Sequence, residues 1–151
     1  MSDTTEPKRR LLLVDDEPDI VLPVGKRLEV SGSEGLVARD GEEALAQAQE
    51  NPDLIILDLM LPKRSGLDVC STLRKDQRYD HIPILLFTGK GEDDVLTRFG
   101  RDQRLLQQWG ADGYIQKTEG VSILLNKIKE LLASPRKPQP PKPESSPQAS
   151  P

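Results

Sequence analysis

Five short apolar runs, separated by segments with helical periodicity, restrict this chain more than any other feature. The clearest is Leu54-Ile55-Ile56-Leu57, four apolar residues in a row with Asp53 before them and Asp58 after. A run without polar alternation reads as a strand buried on both faces, the habit of a parallel sheet. Asp58 follows it directly, and Pro62 marks the turn beyond. A carboxylate in that position stands at the sheet edge where open α/β folds bind ligands. A turn or cap would account for one such acid. Residues 11–14, Leu-Leu-Leu-Val, are a second run of the same length and end in Asp15-Asp16. Two strands that end in acids predict one acidic cluster.

A chain of 151 residues predicts one domain of ordinary size. Its hydrophobic content of 35% is low, partly because residues 134–151 hold seven of the thirteen prolines and a single apolar residue, Ala149. That stretch cannot bury enough surface to offset chain entropy, and it reads as a disordered, partly extended tail or linker. The net charge of −4 divides into +2 on the tail and −6 on residues 1–133. An acidic folded part without a basic stripe argues against direct nucleic-acid binding. No run approaches a membrane span, and residues 1–10 lack the apolar centre of a signal peptide. The single Cys70 precludes an internal disulfide, which suits a reducing cytoplasm, and its spacing with Leu67 and Leu73 places it on a helix face.

Between the runs the helices can be placed. Pro18 suits a first helical turn, after which Ile20, Val21, Val24 and Leu28 share a face, while Pro23 predicts a kink or a late start. Residues 36–38 form a short second strand. Asp40 with Glu43 resembles a capping box opening a helix through Gln49 that buries Ala44, Leu45 and Ala48. Ser65-Gly66 precedes a helix with Leu67, Cys70 and Leu73 inward, and residues 84–87 form the fourth strand, ending at Thr88-Gly89. His81, before that strand, reads as a surface turn residue. Residues 92–109 are polar and helix-prone, with Gly100 as a possible bend. Tyr114-Ile115 lies in a fifth strand ending at Lys117, and a last helix carries Val121, Leu124, Leu125, Ile128, Leu131 and Leu132 up to Ser134-Pro135.

This is βα five times, which implies a parallel sheet covered on both faces with right-handed crossovers. No glycine-rich phosphate loop follows the first strand. The strand ends instead present Asp15, Asp16, Asp58, Thr88 and Lys117, all on one edge because parallel strands point their C-termini the same way. With these residues, the motif 58–62 (Asp-Leu-Met-Leu-Pro), Gly66 eight residues after Asp58, and the stretch 110–117 (Gly-Ala-Asp-Gly-Tyr-Ile-Gln-Lys), the chain resembles the receiver domain of bacterial two-component response regulators. The resemblance covers residues 9–133, leaving 1–8 as an N-terminal extension, and implies a flavodoxin-like α/β fold: a five-stranded parallel sheet, (βα)5, with helices on both faces.

Three carboxylates brought within a few ångströms repel by roughly 4 kcal/mol per close pair at a surface-like dielectric. A hard divalent cation relieves that cost, and oxygen-only ligands suit Mg²⁺. The resemblance assigns coordination to Asp16, Asp58 and the Met60 backbone carbonyl, with Asp15 assisting. It makes Asp58 the acceptor of a phosphoryl group from a sensor histidine kinase or a phosphotransfer protein. Lys117 and Thr88 then stabilise the phosphoryl oxygens, and Tyr114 moves with Thr88 as a switch. The reading face is the fourth helix, fifth strand and fifth helix, met by a downstream protein effector. Such a domain is cytoplasmic and catalyses only its own phosphorylation and dephosphorylation.

Three departures from the family pattern stand out. Thr118 follows Lys117 where the family usually has proline, so a trans bond is expected there. Residues 88–110 exceed the family's usual length by about seven residues, roughly two helical turns. Gly89 replaces the common alanine after the threonine. These features keep a second reading in view, a pseudo-receiver that binds protein without taking phosphate. A haloacid-dehalogenase-type phosphatase would need a second acid where Met60 stands. After residue 133 only the tail follows, so either the chain acts alone through protein contacts or an output domain lies beyond it.

Overall fold

The structure, a computed structural model, describes residues 8–89 and 103–134. Five strands, β1 (Arg10–Val14), β2 (Glu34–Ala38), β3 (Leu54–Leu57), β4 (Ile84–Thr88) and β5 (Gly113–Gln116), form one sheet. Its order is β2-β1-β3-β4-β5, and every pairing is parallel. The described helices are α1 (Pro18–Val30), α2 (Gly41–Gln47), α3 (Gly66–Arg74), α4 (Gln103–Trp109) and α5 (Val121–Ala133).

The two-residue period of the strands divides the core into two layers. Leu11, Leu13, Leu54, Ile56, Leu85, Phe87 and Ile115 face α1 and α5, meeting Val21, Val24, Leu28, Leu124 and Ile128. Leu12, Val14, Ile55, Leu57, Ile84, Leu86 and Tyr114 face the other way, against Ala44, Val69, Cys70, Leu73 and Leu106. Both sheet faces are therefore covered, which is why the strand runs show no polar alternation.

Local details refine the expected elements. Helix α1 begins at Pro18 and continues through Pro23, so the late start is not found. Pro23 lies on the exposed side, where solvent can take the helical hydrogen bond that proline forgoes. Asp40 caps α2 by accepting from Glu43 N at 2.8 Å, while Glu43 Oε1 accepts from Arg39 N rather than from the cap residue. That helix is shorter than expected, ending at Gln47 and passing into a 3-10 turn, Ala48–Glu50. On α3, Val69 is fully buried and Leu67 only partly so, so the inward face is rotated from the expected one. The proline-rich tail and the segment around Gly100 lie outside the described residues.

Helix α3 and the start of β4 are tied to the turn before β5. The Arg74 guanidinium donates to the carbonyls of Gly110, Tyr79 and Ile82 and to Asp112 Oδ2, which also accepts from Ile84 N at 2.9 Å. This knot lies at the N-terminal edge of the sheet, opposite the acidic strand ends. It anchors β4 and β5 at one end while the other end carries Thr88 and Lys117.

Candidate functional site

Strand pairing carries the acids to one place. Asp58 continues the β1–β3 ladder by one step, donating its N–H to the Val14 carbonyl at 2.9 Å. Asp15 does the same between β1 and β2, donating to Ala38 O at 3.0 Å. Because β1 and β3 are neighbours in register, the two acids emerge side by side at the C-terminal edge. Asp15, Asp16 and Asp58 each offer a carboxylate oxygen, and these oxygens all lie within 4.8 Å of one another. Asp15 and Asp58 are buried, and Asp16 is exposed.

The loop after Asp58 is shaped by a close approach. Gly66 N donates to Leu59 O at 2.8 Å, and a Cβ on Gly66 would collide with the Asp58 carbonyl oxygen and lie 2.8 Å from Leu59 Cα. Only glycine lets the start of α3 press against the backbone that carries Asp58. Ser65 caps that helix by accepting from Asp68 N at 3.2 Å. The loop is pinned on its far side by Gly41 N donating to Pro62 O at 3.2 Å. Met60 is held outward on the rim, 59% exposed. It helps line an open cleft of about 320 Å³ with Asp16, Leu59, Leu61, Pro62 and Ser65.

Lys117 reaches the acids from β5, two strands away from β3. Its Nζ lies 2.7 Å from Glu17 Oε1, 2.9 Å from Asp15 Oδ2 and 3.3 Å from Asp58 Oδ2. Burial alone would drive the ammonium toward its neutral form, but the hydrogen bond to Glu17, the ion pair with Asp15 and the Asp58 charge outweigh it. The Lys117 pKa is raised above the usual lysine range. Burial pushes the Asp15 carboxyl above its ordinary value, against the Glu17 backbone N–H and Lys117, which pull it down. Thr88 is buried at the end of β4, paired in register with Gln116 immediately before Lys117. Tyr114, two residues earlier on β5, is also buried. The Lys117–Thr118 peptide is trans, as expected for a non-proline bond.

All the residues singled out at the strand ends therefore share one edge, with Lys117 in contact with Asp15 and Asp58 and with Asp16 beside those two acids. Glu17 is the residue that sequence reasoning did not place there. It belongs to the Asp15-Asp16-Glu17 run, but its contact with Lys117 spans a separation of 100 residues. Only the closing of the sheet brings them together.

The donor set suits a divalent cation. All its side-chain ligands are carboxylate oxygens, and among the described residues Asp15, Glu17 and Asp58 meet the Lys117 ammonium while the exposed Asp16 carboxylate lies beside Asp15 and Asp58. The buried Asp15 Oδ2 meets Lys117 as an ion pair and has no hydrogen bond of good geometry. An oxygen-only cluster with surplus negative charge at an open rim matches what Mg²⁺ requires.

The model of the response regulator receiver domain family matches residues 11–129. The alkaline phosphatase synthesis transcriptional regulatory protein PhoP of Bacillus subtilis is 40% identical over 125 residues, which is 82% of this chain and 48% of that protein. The DNA-binding dual master transcriptional regulator RpaA of a Synechocystis strain is 40% identical over 125 residues, with the same coverage of 82% and 48%. The chain spans about half the length of these curated relatives. Among solved structures, a CheY-like response regulator receiver domain protein from Methanospirillum hungatei aligns with a TM-score of 0.71 and 29% identity, covering 84% of this chain and 95% of that one. The chemotaxis response regulator CheY4 of Vibrio cholerae aligns with a TM-score of 0.70 and 29% identity, covering 82% and 98%. Sheet order, acidic edge and these likenesses agree: the chain belongs to the response regulator receiver domains, signalling modules rather than conventional enzymes, and its three-aspartate cluster is a receiver-type phosphoacceptor site.

Proposed function

We propose that Asp58 is the phosphoacceptor, that Asp16, Asp58 and the Met60 carbonyl hold Mg²⁺ with Asp15 assisting, and that Lys117 and Thr88 complete the reaction centre. The observation that carries this reading is the convergence of three carboxylates within 4.8 Å with the Lys117 ammonium 3.3 Å from Asp58. Bound there, Mg²⁺ would supply positive charge against the phosphoryl oxygens and the acids themselves.

A carboxylate oxygen of Asp58 attacks phosphorus, the bond to the donor's leaving group breaks, and an acyl phosphate remains on Asp58. Lys117 stays near Asp58 and neutralises charge on a phosphoryl oxygen, so positioning and electrostatics supply most of the acceleration. Thr88 donates its hydroxyl to a second phosphoryl oxygen. Drawing Thr88 toward the new dianion frees space that Tyr114 fills, which couples the modification to the face of α4, β5 and α5.

The donor is a sensor histidine kinase or a phosphotransfer protein, and a downstream protein reads the altered face. Residues 9–133 form the receiver unit, flanked by an N-terminal extension and by a proline-rich tail or linker. Among the described residues no helix is long and apolar enough to cross a membrane, which fits the cytoplasmic setting we propose.

Incubating the full chain with acetyl phosphate and Mg²⁺ and weighing the intact protein tests this. The reading expects the mass of one phosphoryl group, not gained when Mg²⁺ is chelated before the donor is added and absent in Asp58→Asn. A wild-type chain that takes no phosphate under these conditions would support the pseudo-receiver instead.

A further inference from the structure

Lys117 is the first residue of a one-turn 3-10 helix, Lys117–Glu119, that follows β5 without a spacer. A turn this short has little cooperative stability of its own. Its backbone closure, Gly120 N to Lys117 O, is long at 3.4 Å. The residue after it, Gly120, has a φ of +98° and no side chain to pack against the turn. A shorter bond comes from a side chain: the Gln116 N–H donates to Glu119 Oε2 at 2.9 Å, and the two residues form a capping box. Gln116 is itself held in register with Thr88 by the β4–β5 ladder. Glu119 therefore ties the turn carrying Lys117 back to the strand that ends beside the reaction centre.

We propose that Glu119 is a positioning residue for Lys117, fixing the backbone from which the ammonium reaches Asp15, Glu17 and Asp58. The inference rests on the phosphoacceptor reading above and adds a residue that makes no contact with the phosphoryl group. Long, unbranched Lys117 crosses from β5 to the acids, so a small rotation at its Cα displaces Nζ by much more. Glutamine at position 119 would keep the bond, because its side-chain carbonyl accepts from the same N–H.

The test uses the full chain with acetyl phosphate and Mg²⁺. Glu119→Ala should lower the phosphorylation rate at saturating donor by about fivefold, the scale of a lost N-terminal cap. Half-saturation by the donor should change little, and Glu119→Gln should stay within about twofold of wild type. Placed in a Lys117→Ala background, Glu119→Ala should cause no further loss. In Mg²⁺-free protein, the Lys117 side-chain NMR resonances should move toward those of a free lysine in Glu119→Ala and stay in place in Glu119→Gln. Should Glu119→Ala melt below the assay temperature, Glu119→Asp, with its shorter reach, replaces it with the same expected outcome. Unmoved Lys117 resonances with a wild-type rate, or an equal loss with and without Lys117, would overturn the proposal. A wild-type chain that takes no phosphate would instead count against the phosphoacceptor reading, and the NMR comparison would still decide whether Glu119 holds Lys117.

Discussion

Replacing Asp58 by asparagine removes one charge from a crowded site while keeping its shape. The Asp58 carboxylate shares a 4.8 Å cluster with Asp15 and Asp16 and faces Lys117 at 3.3 Å. At an effective dielectric of about 20, each repulsion at that limit costs about 3.5 kcal/mol, and the lysine returns about 5 kcal/mol. The balance leaves Asp58→Asn more stable than wild type by about 2 kcal/mol in metal-free buffer, and by more if the acids sit closer than the limit. For a domain of this size that corresponds to a rise in Tm of about 6–12 °C. Thermal unfolding followed by circular dichroism, with and without Mg²⁺, measures it. At ten times its dissociation constant Mg²⁺ should add about 1.4 kcal/mol to wild type, closing most of the gap, and distinctly less to Asp58→Asn. An asparagine variant that melts lower than wild type without metal, and gains as much from Mg²⁺, would refute the electrostatic account of the cluster.

Other parts of the structure make separate predictions. In Gly66→Ala the new methyl would meet backbone of Asp58 and Leu59, which cannot rotate away. Urea unfolding should show a loss of about 1–3 kcal/mol, together with weaker Mg²⁺ binding by titration. Glu17→Gln removes one carboxylate from Lys117 and one negative charge from the rim, so labelling by acetyl phosphate should quicken, most clearly at low salt. Asp40 is held below the usual carboxylate range chiefly by the Glu43 N–H it caps. Its contribution is present above the unfolded pKa and is lost as pH falls through the lower folded value. The melting deficit of Asp40→Ala at neutral pH should therefore shrink as the pH falls below the ordinary carboxylate value of 3.8.

Much of this fold is written in the strands. Each of residues 11–14, 54–57 and 84–87 is apolar throughout because both sides of the sheet are covered, so run length and position were enough to order the core. The acids and Thr88 were legible because they stand at the ends of such runs, and Lys117 because it follows the short fifth strand, and parallel pairing sends every strand end to one edge. What sequence did not yield depends on packing between distant elements. Gly66, Val69, Cys70 and Leu73 form the buried i, i+3, i+4, i+7 face of α3, with Leu67 at its margin, and the Gly66 contact with the Asp58 loop fixes where that face begins. Glu17 meets Lys117 only once β5 has been added at the far side of β4. Glu119 lies in a turn too short to leave a periodic signal, and its capping bond becomes visible only with the strand end in place. Pro23 did not delay the start of α1, because a helix tolerates proline where its vacant acceptor can turn to solvent.

The most direct measurement locates the phosphoryl group chemically. Wild-type chain treated with acetyl phosphate and Mg²⁺ is reduced with borohydride, which converts an aspartyl phosphate to homoserine, and the digested peptides are sequenced by mass spectrometry. The account predicts homoserine at position 58 alone, dependent on Mg²⁺. Modification at Asp15 or Asp16 instead, or an unmodified Asp58 in the presence of Mg²⁺ and excess donor, would contradict it.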